Sequence, residues 1–523
     1  MKQTFRNSNI FRILLMIVIF FSVLAIASFF AQFDIDSHHD GIMFKTAVDI
    51  SQGKILFRDT YTHYGPIPSF IQGISVYLFG QYVLVIRLTT AILYAITGLF
   101  LWLIWEKYLS VKLTVVSLIL WVFLAPYYYS ILFPWASVYG MLFTTIALFI
   151  FLDKFQFIKD RKIFKSSFDI FVLGIVACLA FLSKQPYLLL FLALNTFFII
   201  LYFFKILNKK VALQSIRTLT AGFLTTYSTF FIWLIANNAT WDYWLQNIRE
   251  GYIEGRIIGN SFLITAGYYF YTHPLYLLIN LCVLLFFIKS FISLKNNKDI
   301  NSIKNFGVSI ICISSLIQIY PTVDDSHEYW AITPAIGLFV YFLNKAYNQT
   351  DVFRKFNYIK QRQKLLQILS LFFLLVTVCS IIIVSLSGIS DAINKVKKNN
   401  VYMTYPYVLK GMHVSSKEAL YYADVSKTMN DYLKKHPNKH FVIDTSDPLY
   451  LTFTDSSINV LPLYVNYSGA TSGLYPFDQK LSQYIYAYKP LVMVQNEDIH
   501  KFKGYTSIAR WNTYDTALIA SLE

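Results

Sequence analysis

The sequence predicts an all-α polytopic membrane protein of about eleven transmembrane helices, carrying a small extracytoplasmic C-terminal α/β domain. Three observations lead there. Of 523 residues, 56% are hydrophobic and 14% charged, whereas about a quarter of the residues are charged in a soluble globular domain. Apolar runs of bilayer-spanning length follow one another up to residue 388. The basic residues collect in the short connections between alternate runs, as the positive-inside rule requires. Beyond that point the spanning runs stop and short strand-like stretches alternate with polar turns. Residues 1–389 therefore form a transmembrane domain and residues 390–523 a separate extracytoplasmic one.

The first run, 11–31, follows a basic start and lacks a good cleavage site, so it reads as an uncleaved signal anchor with its start in the cytoplasm. Ten more runs lie at 82–105, 111–127, 137–152, 167–183, 187–206, 213–236, 264–289, 305–320, 328–346 and 365–388. With eleven spans, the basic clusters around Lys107, Lys159, Lys209, Lys295 and Lys360 all fall on the N-terminal side. That places the N-terminus inside and the C-terminus outside the cell membrane. The formal charge of +16 is a matter of topology, and nucleic acid is set aside as a partner. Cys178, Cys282, Cys312 and Cys379 lie within apolar runs, so neither a disulfide framework nor a thiolate metal site is expected. In the tail, HFVID at 440–444, INVLPLYV at 458–465 and PLVMVQ at 490–495 read as strands. Its many tyrosines either stack on sugars or meet lipid head groups.

This orientation sends the polar chemistry outward. The outer connections are 32–81, 127–137, 183–186, 237–263 and 321–330, and with the tail they gather acids, histidines and tryptophans. The stretch Phe33–Pro68 alone holds Asp34, Asp36, Asp40, Asp49 and Asp59 with His38, His39 and His63. Polar groups bunched at a membrane surface in an apolar chain are costly to keep there, which marks a functional site. Asp36 and Asp40 share a face if the stretch is helical. IMFKTAVDISQGK reads as an amphipathic interfacial helix closed by Gly53, followed by a turn punctuated by Pro66 and Pro68. His38, His39 and Asp40 either hold a divalent cation, with Mn²⁺ or Zn²⁺ better suited than Mg²⁺, or order the loop by hydrogen bonds.

The run Asp36-Ser-His-His-Asp40-Gly-Ile-Met-Phe-Lys-Thr-Ala47, with Gly53-Lys-Ile-Leu-Phe-Arg58-Asp59 and His63-Tyr-Gly-Pro66, resembles the first outer loop of the membrane-embedded C-class (GT-C) glycosyltransferases, which use lipid-linked sugars. Leu182-Ser-Lys184-Gln-Pro186 is similar to the L-x-K-x-P element of polyprenyl-phosphate-sugar transferases, a group with bacterial aminoarabinose and mannosyl transferases. The likeness extends in topology over residues 1–389 and departs where His39-Asp40-Gly41 replaces the common Asp-Glu pair. It implies a GT-C-like fold and transfer of one hexose or pentose from a polyprenyl phosphate to an extracytoplasmic acceptor: cell-wall polymer, teichoic acid or surface glycan. It also implies Asp40, by its position ahead of the helix, as the catalytic base, with Asp36 second.

The residues permit that chemistry. Sugar transfer needs a carboxylate base at the acceptor and cations or a metal at the departing phosphate. Lys184, Arg249, Arg256 and Arg58 lie in the outer connections and either grip a phosphate or meet lipid head groups. Lys184 stands out because a lone Lys at an outer helix end goes against the positive-inside rule, while Arg58 has Asp59 beside it. PTVDDSHEYW offers Asp324 and His327 as donor contacts or as a solvated turn, and His63 joins the substrate-binding set. Trp241 and Trp244 either stack on sugar rings or belong to an interfacial belt. No nucleotide-binding element is evident, which favours a lipid-carried donor. Two rival readings remain: a flippase of lipid-linked glycan, with charges in mid-helix and repeated broken helices, and a non-catalytic partner of glycan assembly. Clean apolar interiors with polar groups gathered at one face favour the enzyme.

Overall fold

The computed structural model describes residues 9–128, 130–156, 164, 166–249, 274–319, 324–351, 361–460 and 477–521. The apolar runs form helices, the one open structure that satisfies every backbone N–H and C=O without water. In order they are α1 (Asn9–Phe30), α2 (His39–Ser51), α3 (Pro66–Phe79), α4 (Val83–Trp105), α5 (Val111–Phe123), α6 (Ala136–Lys154), α7 (Ser167–Phe181), α8 (Leu188–Phe203), α9 (Lys209–Ala236), α10 (Pro274–Asn297), α11 (Ile300–Ser315), α12 (Asp325–Ile332), α13 (Ile336–Asp351) and α14 (Gln361–Lys398). Among the described residues, eight helices are long and apolar enough to cross a membrane, and α3, α5 and α7 are shorter apolar helices. Every expected run carries a helix in its described part. The run at 328–346 is broken, however: Pro334 stands in a 3₁₀ turn, Thr333–Ala335, between α12 and α13.

Two helices of the first connection depart from expectation. α2 ends before Gly53, whose φ of +85° closes it as the sequence predicts, but it does not lie amphipathically on a surface. Ten of its thirteen residues are buried, enclosed by α3, α4 and the tail's 3₁₀ turn Pro448–Thr452. Residues 66–79, expected as loop, form the apolar helix α3. Pro66 and Pro68 do not break it, because Pro66 occupies the first helical position, where the missing N–H has no partner to lose.

The tail contains α15 (Ser416–Lys435), started by a Ser415–Glu418 capping box, and α16 (Phe477–Tyr488). A short pair, β1 (Val401–Tyr402) with β2 (His413–Val414), precedes a four-stranded sheet of β3 (Phe441–Asp444), β4 (Leu491–Gln495), β5 (Tyr505–Trp511) and β6 (Thr516–Ser521). Its order is β3-β4-β6-β5, with β3 and β4 parallel and the other pairs antiparallel. Two of the three expected strands are β3 and β4; most of the third, 461–465, lies outside the described residues.

The tail is fused to the first connection. Ile42, Phe44, Ala47 and Val48 of α2 share one apolar cluster with Leu409, Tyr422, Leu449 and Leu518 of the tail. The backbone joins them as well: Asp34 N–H donates to His413 C=O (2.8 Å), His413 N–H to Gln32 C=O (2.6 Å) and Leu449 N–H to Ser37 C=O (3.3 Å). Asn459 Nδ2 donates to the buried Asp49 carboxylate at 2.7 Å, which also receives Lys45 (2.6 Å), Lys54 (2.7 Å) and Thr60 (2.8 Å). At Gly41 the approach is so close that a Cβ would stand 2.4 Å from the Leu449 nitrogen. Gly41→Ala should therefore cost about 1–3 kcal/mol of overpacking. The expected result is a lower thermal midpoint in detergent and faster protease cleavage between α14 and β1; an unchanged cleavage rate would contradict this docking.

Candidate active site

The site begins with a buried cation. Arg87 of α4 is fully buried and donates through Nε to Asp40 Oδ1 (3.0 Å), through Nη2 to Asp40 Oδ2, and through Nη1 to the carbonyls of Ala31, Phe33 and Asp34 (3.2, 3.1 and 2.9 Å). It thus satisfies the open carbonyls after α1 and the acid at the start of α2 together. Asp40 Oδ2 also receives the Asp36 N–H at 3.0 Å. Both oxygens of the expected leading base are occupied and its side chain is fully buried. In this geometry Asp40 holds the loop, and Asp36 reaches the surface with 31% of its side chain exposed.

Asp36 builds a compact unit with His39. Its Oδ1 accepts the N–H groups of His38 (3.0 Å) and His39 (2.8 Å), and its Oδ2 accepts from His39 Nδ1 (2.7 Å). The same construction recurs at α12. Asp324 Oδ1 accepts the N–H groups of Ser326 and His327, each at 2.9 Å, and Oδ2 accepts from His327 Nδ1 at 2.6 Å. Both are Asp-x-x-His starts of a helix, with the acid capping open N–H groups and fixing the imidazole three residues on. Burial pushes the Asp36 carboxyl up, but the hydrogen bond and charge of His39 outweigh it and leave the pKa at about 2. Asp324 follows the same balance and is also lowered, by His327. Burial and the neighbouring Lys184 lower His327 against the pull of Asp324.

Lys184 meets the second unit. Its ammonium donates to His327 Nε2 (3.2 Å) and Ser137 Oγ (2.9 Å), and Ser137 Oγ donates to Gln318 Oε1 (3.2 Å). Gly65 explains how Lys184 comes to stand beside the first loop. Gly65 N–H donates to Ser183 C=O (3.1 Å) and Ile67 N–H to Leu182 C=O (3.2 Å), and a Cβ on Gly65 would lie 1.9 Å from the Leu182 oxygen. The His63-Tyr-Gly-Pro66 and Leu182-Ser-Lys184 motifs are thus two sides of one contact.

One indole joins the two units. Trp135, at the start of α6, lies with its ring centroid 4.7 Å from His39 and 5.4 Å from His327, and Phe133 packs on both Trp135 and His39. Gln72 of α3 fixes this turn by donating to Pro134 C=O at 2.7 Å. Neither Trp135 nor Gln72 was singled out by sequence reasoning, because an aromatic in an outer turn looks like any interfacial belt residue. The amides Gln185, Gln246 and Asn247 were also missed, although they hold the backbone of Phe57 and of the His63–Tyr64 turn at 2.6 to 2.7 Å.

The remaining expected residues are placed differently. His38 Nδ1 bonds to the Ser446 carbonyl of the tail, and burial together with His39 lowers its pKa to about 4. With Asp40 on Arg87 and His38 on Ser446, the expected cation ligands His38, His39 and Asp40 do not converge, and no group of three such side chains forms a metal site among the described residues. His63 packs at a tilt on Tyr64, ring centroids 4.0 Å apart, and lies within electrostatic range of His38. Arg58 pairs with Asp59 and donates to Asn237 C=O at 3.1 Å. Trp241 and Trp244 stack on each other at 5.1 Å and are 65% and 43% exposed. Arg249 is exposed at the end of a π-helical turn, and Arg256 lies outside the described residues. Glu328, next to His327, is fully buried with neither carboxyl oxygen hydrogen-bonded.

No family model and no curated protein matches the sequence. Solved structures do match in fold. ArnT from Cupriavidus metallidurans bound to undecaprenyl phosphate aligns with a TM-score of 0.54 at 11% identity, over 98% of this chain and 98% of that one. Its apo state gives 0.53 at 11% identity over 96% and 97%. The archaeal oligosaccharyltransferase AglB from Archaeoglobus fulgidus, in complex with an inhibitory peptide and a dolichol-phosphate, gives 0.53 at 12% identity over 92% of this chain and 69% of that one. The chain has the GT-C glycosyltransferase fold. At such identities the likeness is one of architecture, and the roles of side chains in this chain rest on their own geometry.

Two predictions follow from the pairings. Arg87→Met leaves Asp40 buried without its partner and should cost about 3–5 kcal/mol, read as a fall in thermal midpoint, with Asp40→Asn added to Arg87→Met recovering part of it. Asp447 of the tail accepts from Ser37 Oγ at 3.0 Å, and burial beside Asp36 raises its pKa to about 6 from 3.8. Between those values the folded protein keeps a proton that a free carboxyl has lost, so docking of the tail should weaken as pH rises through this window. Asp447→Asn should flatten that dependence, measured by protease sensitivity across pH 4–7.

Proposed function

We propose that the protein transfers a single sugar, hexose or pentose, from a polyprenyl-phosphate carrier to a hydroxyl of an extracytoplasmic glycan or lipid acceptor, cell-wall polymer, teichoic acid and surface glycan being the candidates. One observation carries this reading: the His327 that holds the Lys184 ammonium and the Asp36–His39 unit flank the same indole at one end of an apolar helix bundle. Undecaprenyl phosphate bound to ArnT and dolichol-phosphate bound to AglB support a polyprenyl-phosphate donor. The basic connections on the opposite side support an N-terminus in the cytoplasm and a site at the outer face of the cell membrane.

In this mechanism the acceptor hydroxyl attacks the anomeric carbon and the carbon–oxygen bond to the phosphate breaks, with inversion at that carbon. Charge develops on the phosphate oxygen, where Lys184 stabilises it. His327, oriented by Asp324, accepts one ammonium N–H and aims the charge. The proton of the acceptor leaves on the side of the Asp36–His39 unit, while Asp40 keeps that unit in register. His63 and Trp135 line the approach, and Asp36 rather than Asp40 provides the working carboxylate. Among the described residues the side chains do not compose a divalent-cation site, so no step is routed through one. Arg249, Trp241 and Trp244 belong to the rim, and Arg58 to a local ion pair.

The test is sugar transfer in proteoliposomes from a panel of radiolabelled polyprenyl-phosphate sugars. Lys184→Met should lower transfer by about 10²–10³-fold with the fold intact by thermal midpoint. Absence of transfer from every donor by the wild type, with movement of labelled lipid between leaflets instead, would replace this reading by the flippase.

A further inference from the structure

The two Asp-x-x-His units are built alike but end differently. In the second, His327 Nδ1–H is spent on Asp324 and the far nitrogen, Nε2, accepts from Lys184. In the first, His39 Nδ1–H is spent on Asp36 in the same way, yet His39 Nε2 makes no hydrogen bond among the described residues. The ring is 29% exposed and rests edge-on against Trp135 and Phe133. Its orientation is fixed from both sides, by the carboxylate at one nitrogen and by the aromatic wall along the ring, and the other nitrogen keeps its lone pair on a part-exposed ring.

Asp36 is poorly placed to take the proton itself. Oδ1 already accepts two backbone N–H groups and Oδ2 the imidazole N–H. Protonating the carboxylate would weaken the hydrogen bonds that hold the first turn of α2 and the imidazole, and a carboxyl held at about 2 is a weak base. We propose that His39, through Nε2, is the general base that takes the proton of the acceptor hydroxyl, and that Asp36 is a positioning residue that fixes the imidazole tautomer. This rests on the transferase reading above and names its proton-accepting atom. In the step, the acceptor O–H bond breaks and its proton passes to His39 Nε2. The acceptor oxygen forms the new bond to the anomeric carbon, and the electron pair of the broken carbon–oxygen bond stays on the polyprenyl phosphate held by Lys184. The imidazolium then returns its proton to water. Asp36 stabilises the imidazolium without becoming protonated, as in other carboxylate–imidazole pairs.

The experiment is single-turnover transfer in proteoliposomes by wild type, His39→Gln, His39→Ala and Asp36→Asn, with binding of polyprenyl phosphate measured on each. Both His39 variants should lose about 10²–10⁴-fold in rate and keep donor binding, and added imidazole should restore part of the His39→Ala rate. Asp36→Asn should lower kcat with the donor KM unchanged, and combining it with His39→Gln should add little further loss, because the two act as one unit. His39→Gln close to the wild-type rate, or no imidazole rescue, with Asp36→Asn inactive, would assign the proton to the carboxylate and overturn this proposal while the transferase reading stood. An inactive wild type would sink both.

Discussion

A single guanidinium decides where the first connection goes. Arg87 is fully buried, and every group it touches would otherwise be an open acceptor at the rim of an apolar bundle: three carbonyls from the end of α1 and the Asp40 carboxylate. An unpaired charge there would cost far more than the pair contributes, so the chain after α1 is forced to fold back over α4. That fixes the start of α2, and with it the turn that presents Asp36 and His39 outward. The pair is a device of specificity: it allows one path for residues 31–40 and makes the alternatives expensive.

From this anchor the site divides into halves that meet at Trp135. One half grows from α2 and ends in an imidazole edge open to solvent. The other grows from α12 and ends in the ammonium of Lys184. Each half uses the N-terminus of a helix to satisfy its acid and to aim its histidine, an economical way to hold two long-range partners with local hydrogen bonds. The sequences between them contribute little chemistry but strict geometry: Gly65 lets two backbones touch, and Gln72 and Asn247 seize carbonyls that no helix can satisfy.

Much of this was legible in the chain. The helix closed by Gly53, the concentration of acids and imidazoles at 33–68, and the oddity of Lys184 all follow from local rules of hydropathy, turn chemistry and charge placement. What was not legible depends on contacts far apart in sequence. Arg87 looks like a charge at the start of a span until Asp40 is seen beside it. Asp40 led as the base by its position ahead of the helix, and neither that position nor a shared face tells burial. Pro66 reads as a breaker or as a helix start with equal right, and residues 69–79 decide it only by packing on α2. The partnership of Asp447 with Ser37 spans most of the chain and has no local signature. The β5–β6 hairpin had one, since β5 alternates half-buried and exposed residues, but its polar half masked the pattern.

The apolar cluster shared by α2 and the tail bears on how the protein is made. Ile42 and Phe44 precede most of the bundle helices in the chain, yet Leu518, against which their cluster closes, follows all of them. Until then the loop that holds Asp36 and His39 has lost the wall beneath it, and the entropy of closing so long a loop must be met by contacts that form late. A nascent or truncated chain would insert its helices into the bilayer without owning a finished site. The tail thus acts as a seal of completion: the wall beneath Asp36 and His39 is finished only once β6 has folded against α2.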